Sequence, residues 1–202
     1  MTQSQEKLNI IVLGYSGVGR TSILNRGLDI ESSQFSVSTI GLDTKSKFFK
    51  FDDTKIKVNY FFSNGQERFK DVSSKFLKKA DGAIFVFDIT KKATFELIGK
   101  WLDDIRENNK LDIPKILIGN KVDLETERKV SKEEGEQLAK LLKCKYYETS
   151  AKTGQNVKQA LDEITEFTYS IWKNSEKKHS IKISSDNSGK KKLSAKNKGC
   201  QD

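Results

Sequence analysis

Proline is almost missing from this chain: 202 residues hold one, Pro114, with one methionine and one histidine. So little proline, with 13 glycines and no internal repeat, excludes collagen-like and low-complexity classes. Cysteine is scarce too. Cys144 and Cys200 are too few for a disulfide framework or a zinc cluster, which points to a reducing, intracellular setting. Residues 1–4, MTQS, carry neither a charged-then-apolar signal peptide nor a glycine at position 2 for myristoylation. Long apolar runs are absent. The longest, AIFVF at 83–87, has the length of a buried strand, far short of the roughly 20 residues of a membrane span.

What is present suits one globular domain with a tail. Hydrophobic residues make up 35% and include 12 phenylalanines, enough for a real core. The net charge of +9 is unevenly spread. Residues 173–202 hold nine lysines against Glu176, Asp186 and Asp202, so the tail carries six of the nine net charges and the other 172 residues three. A basic tail, rather than a basic folded face, dominates the electrostatics.

Apolar runs bounded by turn residues alternate with segments of helical period. Residues 8–13 read as a strand entering a Gly-rich loop, and 21–26 as a short helix. Residues 42–52 and 55–62 read as a strand pair joined at Asp52-Asp53. Residues 83–87, 115–119 and 145–147 are further strands, with helices expected over 94–107, 132–143 and 156–172. In the last, Val157, Ala160, Leu161, Ile164 and Phe167 share one face. Short buried strands alternating with helices imply an α/β fold whose mostly parallel sheet is covered on both sides. The expected boundary separates a domain at 1–172 from a flexible Lys-rich tail at 173–202, too poor in apolar residues to order itself.

Two motifs carry chemistry. The first, GYSGVGRT at 14–21, stands between a strand and a helix and fits the phosphate-loop pattern G-x-x-x-x-G-[K]-[ST] in its required context. Its glycines let successive N–H groups converge on an anion, and the helix dipole adds to the attraction. The candidate phosphate-binding residues are Ser16, Gly17, Val18, Gly19, Arg20, Thr21 and Ser22, with the Thr21 hydroxyl available to Mg²⁺. Arg20 replaces the usual lysine, a planar fork in place of a point charge, so phosphate contacts from a shifted angle and collision with the nucleotide both stay open. The second motif, Asn120-Lys121-Val122-Asp123, follows a strand about 100 residues later. An Asp123 carboxylate can accept from N1–H and the exocyclic amine of guanine, which adenine cannot supply. Lys121 can lie along the purine, Asn120 can tie this loop to the phosphate loop, and Ser150-Ala151-Lys152 can offer a backbone N–H to the guanine carbonyl.

With these motifs go STIGLD (38–43), GQERF (65–69), AIFVFDIT (83–90), WLDDIRE (101–107) and ETSAKTG (148–154). Together, in this order over about residues 8–172, they resemble the Ras-superfamily small GTPases, and the Rab family most of all. The resemblance implies the P-loop small-GTPase fold: a six-stranded, mostly parallel sheet with one antiparallel strand and five flanking helices, binding GTP or GDP at the strand C-termini. It implies that Thr39, with Thr21, ligates Mg²⁺ and senses the γ-phosphate, that Gly65 reads that phosphate through its N–H, and that Gln66 is the catalytic residue orienting the attacking water.

Four departures stand against this pattern. Besides Arg20, Phe62 replaces the acidic residue that closes the family's Asp-x-x-Gly and holds a magnesium-bound water. Asn64 stands where a small alanine is usual, and Ser32 stands where an aromatic ring stacks on guanine, with Phe35 three residues on. They imply weaker nucleotide binding, faster exchange or reduced magnesium dependence, and slow intrinsic hydrolysis. The alternative is a pseudo-GTPase, a binding module with the fold but no useful turnover. The three effector-contact positions read Thr44, Phe61 and Phe76, one ring fewer than in typical Rabs.

In the tail, Lys190-Lys191-Lys192, Lys196 and Lys198 precede Gly199-Cys200-Gln201-Asp202. A polybasic stretch with a prenyl group on Cys200 would supply the two signals of stable membrane anchoring; a soluble basic tail is the other reading. Without aromatics there to stack bases, nucleic acid is not an expected partner. The expected partners are GTP and GDP, effectors, exchange factors, GTPase-activating proteins and an anionic membrane. The expected state is a monomer, cytoplasmic and cycling to the cytosolic face of an endomembrane compartment.

Overall fold

The computed structural model describes residues 6–29, 42–63, 77–107 and 112–194. Six strands form one sheet: β1 (Lys7–Leu13), β2 (Leu42–Phe51), β3 (Thr54–Ser63), β4 (Gly82–Asp88), β5 (Lys115–Asn120) and β6 (Lys145–Thr149). Their order is β2-β3-β1-β4-β5-β6, and among the described residues only the β2–β3 pairing is antiparallel. Among the described residues five α-helices accompany it: α1 (Arg20–Gly27), α2 (Lys92–Glu96), α3 (Ile98–Glu107), α4 (Lys132–Leu142) and α5 (Val157–Ser194), with a 3₁₀ turn at Val122–Glu127. This is the six-stranded small-GTPase fold.

The sheet is covered unevenly because its strands are. All seven residues of β4 are buried, so this strand is sandwiched between layers and reads as an uninterrupted apolar run. On one face Ile11, Leu13, Phe85, Phe87 and Leu117 pack with Ile98, Leu138 and Leu142, and Phe87 meets Phe95 edge-on at 5.0 Å. On the other face α1 and α5 come so close that a Cβ on Gly27 would fall 2.5 Å from Leu161. Here too the Tyr60 hydroxyl shares a 2.6 Å hydrogen bond with Thr165 Oγ1. α4 opens with a capping box: Ser131 Oγ accepts from Glu134 N, and Glu134 Oε2 accepts from Ser131 N.

Three elements differ from the sequence expectation. The helix expected over 94–107 is two helices, with the tight Lys100 N to Leu97 O bond at the break. There Thr94 Oγ1 accepts from Asp88 N and donates to Lys91 O, fixing the first helix to the strand end. Phe167 is half exposed rather than on the buried face of α5. The buried stripe continues through Thr165 and Thr168 instead, whose hydroxyls bond back to Leu161 O and Ile164 O. Backbone helix also continues past Trp172 to Ser194, through a stretch without proline in which each added residue gains a bond. The chain forms two compact units, 1–168 and 169–202.

Candidate functional site

The phosphate loop is built by two close approaches. A Cβ on Gly14 would stand 2.4 Å from Val86 O, so only glycine lets the loop leave β1 against β4. Gly19, at φ 98°, is the left-handed N-cap of α1, and a Cβ there would stand 2.4 Å from Asn120 Nδ2. Between them Tyr15, Ser16 and Gly17 are exposed and Val18 is buried. α1 starts without a side-chain cap and without an acid in its first turn. Its leading N–H groups receive no partner from the helix itself, so the loop mouth favours an anion. Thr21 and Ser22 are exposed at this end, whereas Arg20 is buried at 7% exposure and partnered.

Asn120, at the end of β5 and 1% exposed, clasps three segments together. Its Nδ2 donates to Val18 O at 2.8 Å, while its Oδ1 accepts from Thr149 Oγ1 at 3.1 Å and Ala151 N at 3.2 Å. One amide thus joins the phosphate loop to the 120–123 turn and to the 149–151 loop. Ser150 adds a second tie, donating to Asp123 Oδ1 at 2.5 Å and accepting from Thr153 N at 3.1 Å. Arg26 Nη2 of α1 donates to Thr153 O. The carboxylate of Asp123 remains exposed, as does Lys152, so both can meet a ligand.

Sequence reasoning missed the partner of Lys121. This residue is held in the left-handed region, φ 75°, and its Nζ donates to Asp88 Oδ2 at 2.6 Å. Asp88 is fully buried, and its other oxygen accepts from Thr90 N and Thr90 Oγ1. Burial works against the Asp88 charge, but Lys121 and the Thr90 bonds outweigh it and hold the carboxyl below the usual range. The aspartate in FDIT was the available signal, because β4 and β5 set Asp88 in register with Asn120.

Phe62 is 1% exposed at the end of β3, between Val12 of β1 and Asp43 of β2 in the ladders. It supplies no oxygen. Among the described residues no group of three or more His, Cys, Asp or Glu is placed to hold a metal. Magnesium on a nucleotide keeps waters and phosphate oxygens and needs few protein donors, so Thr21 fits that role through its hydroxyl. Thr39, Gly65 and Gln66, with Ser32, Phe35, Asn64, Phe76 and Cys200, lie outside the described residues.

A Gly-rich loop leading into a helix, clasped by an Asn-Lys-x-Asp turn at the C-terminal ends of parallel strands, defines a P-loop small GTPase. The Ras family's sequence model matches residues 9–170, and the chain belongs to that family, close to the Rabs. Rab-15 of rat and of human are each 38% identical to it over 157 residues, covering 78% of this chain and 74% of the relative. Rab-13 of rat is 36% identical over 155 residues, 77% of this chain and 76% of its own. RABA5c of Arabidopsis thaliana is 38% identical over 161 residues, covering 80% and 75%. The family generally binds GTP and GDP with magnesium and hydrolyses GTP.

Proposed function

We propose that this protein is a guanine-nucleotide switch of vesicle and membrane traffic, one that hydrolyses GTP slowly by itself. The observation that carries the reading is the Asn120 clasp, which holds the phosphate loop and the base-reading loops at fixed separation. Ser16 to Ser22 take the phosphates, Asp123 reads the guanine edge, a backbone N–H of the Ser150-Ala151-Lys152 loop meets its carbonyl, and Lys121, fixed by Asp88, lies along the ring. Thr39 and Gly65 sense the γ-phosphate, and Gln66 orients the water that attacks it. Bound magnesium supplies charge neutralisation on the phosphates. Slow turnover follows from Arg20 and from Phe62, whose ring replaces a carboxylate with core volume. The partners are effectors, an exchange factor and a GTPase-activating protein. The basic tail and a prenyl group on Cys200 give membrane attachment, so the monomer cycles between cytoplasm and an endomembrane face.

The buried Phe62 also favours a second reading, a pseudo-GTPase: a binding module with the fold but impaired magnesium handling and no useful turnover. One experiment separates the two. The purified chain is analysed for bound nucleotide, and phosphate release from GTP is followed with and without Mg²⁺. Stoichiometric GDP and magnesium-dependent release support the switch. An empty pocket, or GTP that persists for days, supports the binding module.

A further inference from the structure

Like charges face each other at the end of the sheet away from the phosphate loop. Lys50 pairs with Lys55 across the β2–β3 hairpin, and Lys57 stands in register with Lys7 of β1. Phe48 pairs with Lys57, so one cross-strand row reads Phe48, Lys57, Lys7. Residues paired across a ladder share a face, and period-two alternation puts Phe48 and Lys50 on that same face. It is the face opposite to Tyr60 and Phe62. Directly opposed like charges weaken a sheet. Here two such pairs lie side by side, and among the described residues none of the four lysines forms an ion pair. Lys55 Nζ sits 4.7 Å from the Phe48 ring centre, and that ring is 44% exposed.

We infer that this hairpin face docks on an anionic membrane, with Lys7, Lys50, Lys55 and Lys57 meeting lipid phosphates and Phe48 entering the headgroup layer. A layer of phosphates relieves the repulsion that the fold maintains. An amphipathic ring between lysines is the side-chain set that settles at such an interface. The arrangement is an open sheet face with lysines spread across three strands, which matches a flat surface.

The inference extends the proposed membrane attachment, and its test uses neither lipidation nor hydrolysis. Full-length unlipidated protein is sedimented with vesicles of phosphatidylcholine, with and without phosphatidylserine, and its bound nucleotide is measured in the same preparation. Lysine near an anionic surface contributes about fivefold per residue, so the combined Lys50→Glu, Lys55→Glu, Lys57→Glu variant is expected to lose on the order of 10²-fold in partitioning. Phe48→Ala alone, at an exposed position, is expected to lose several-fold. Reversal of Lys129, Lys132 and Lys140 changes net charge equally and is expected to lose far less. Phe48→Trp should be quenched by brominated lipid. Equal loss in both triple variants, wild-type binding by the hairpin variant, or an unquenched Trp would overturn the inference. Hairpin reversal that spares vesicles but abolishes capture of an acidic protein would overturn it too. A chain empty of nucleotide would count against the proposed switch alone.

Discussion

Placing aspartate at position 62 separates packing from metal chemistry. Phe62 is 1% exposed and lies beside Val12 and across from Asp43, on the sheet face that includes Tyr60. Phe62→Asp removes a buried ring, which costs about 3–5 kcal/mol for loss of the side chain alone. It also sets a second carboxylate beside Asp43, so the charge adds to that cost in metal-free protein. At about 2–4 °C per kcal/mol for a domain of this size, a central loss of ~4 kcal/mol lowers the melting temperature by ~8–16 °C. If position 62 faces nucleotide-bound magnesium, the new carboxylate recovers part of this on binding. Magnesium at 100 times its dissociation constant returns about 2.7 kcal/mol, or ~5–11 °C. The assay is a thermal melt of the GDP-loaded protein in EDTA and in Mg²⁺, for wild type, Phe62→Asp and Phe62→Leu. Phe62→Leu keeps apolar volume and should lose about 1 kcal/mol, with no added magnesium response. Melting of Phe62→Asp within ~2 °C of wild type in EDTA would refute a packing role for the Phe62 ring. A magnesium response of Phe62→Asp equal to that of Phe62→Leu would refute a metal-facing position 62.

Other perturbations reach the rest of the site. Asn120→Ala strips partners from Val18 O, Thr149 Oγ1 and Ala151 N together, so it should cost about 2–4 kcal/mol in denaturant melts and leave purified protein largely free of nucleotide. For Asp88, the folded carboxyl titrates below its unfolded value of about 3.9, so its contribution is present above that pH and lost as pH falls through the folded value. Stability of Asp88→Asn, followed by urea melts below about pH 4, should therefore fall less steeply than that of wild type. Burial raises the Cys144 thiol to about 11, leaving a thiolate fraction near 10⁻³ at pH 8, so alkylation of a Cys200→Ser variant should run on the order of 10²-fold slower native than denatured.

Strands were the most legible part of the fold, because each is a short apolar run closed by turn residues and β4 is buried at every position. Helix limits were less so. Where Thr94 bonds the end of β4, a tertiary contact divides a segment whose periodicity reads as continuous. Along α5 the threonines read as polar, yet Thr165 and Thr168 are buried because their hydroxyls bond their own helix. At the site, glycine spacing and the Asn-Lys-x-Asp turn point to candidate residues, but the partner of Lys121 depends on strand register. Asp88 and Lys121 are 33 residues apart and meet only once β4 and β5 are parallel neighbours. Phe62 was legible as a departure; its burial between Val12 and Asp43 needed the ladders.

The two halves of the pocket are held by different physics. The base-reading half rests on redundant polar ties, with Asn120, Ser150 and the Lys121–Asp88 pair each joining segments far apart in sequence. Buried networks that are fully satisfied fix a single arrangement, so this half is preorganised before a ligand arrives. In the described part of the phosphate half, preorganisation comes from backbone: Gly14 against Val86, Gly19 against Asn120, and the open first turn of α1. Neither set depends on a carboxylate at position 62. Replacing that carboxylate with a ring buries apolar area at the β3 end and leaves both sets of ties intact. In the proposed switch, recognition of base and phosphate therefore survives a change that would weaken metal-assisted hydrolysis. On that reading the nucleotide state is set more by partner proteins than by the chain's own chemistry.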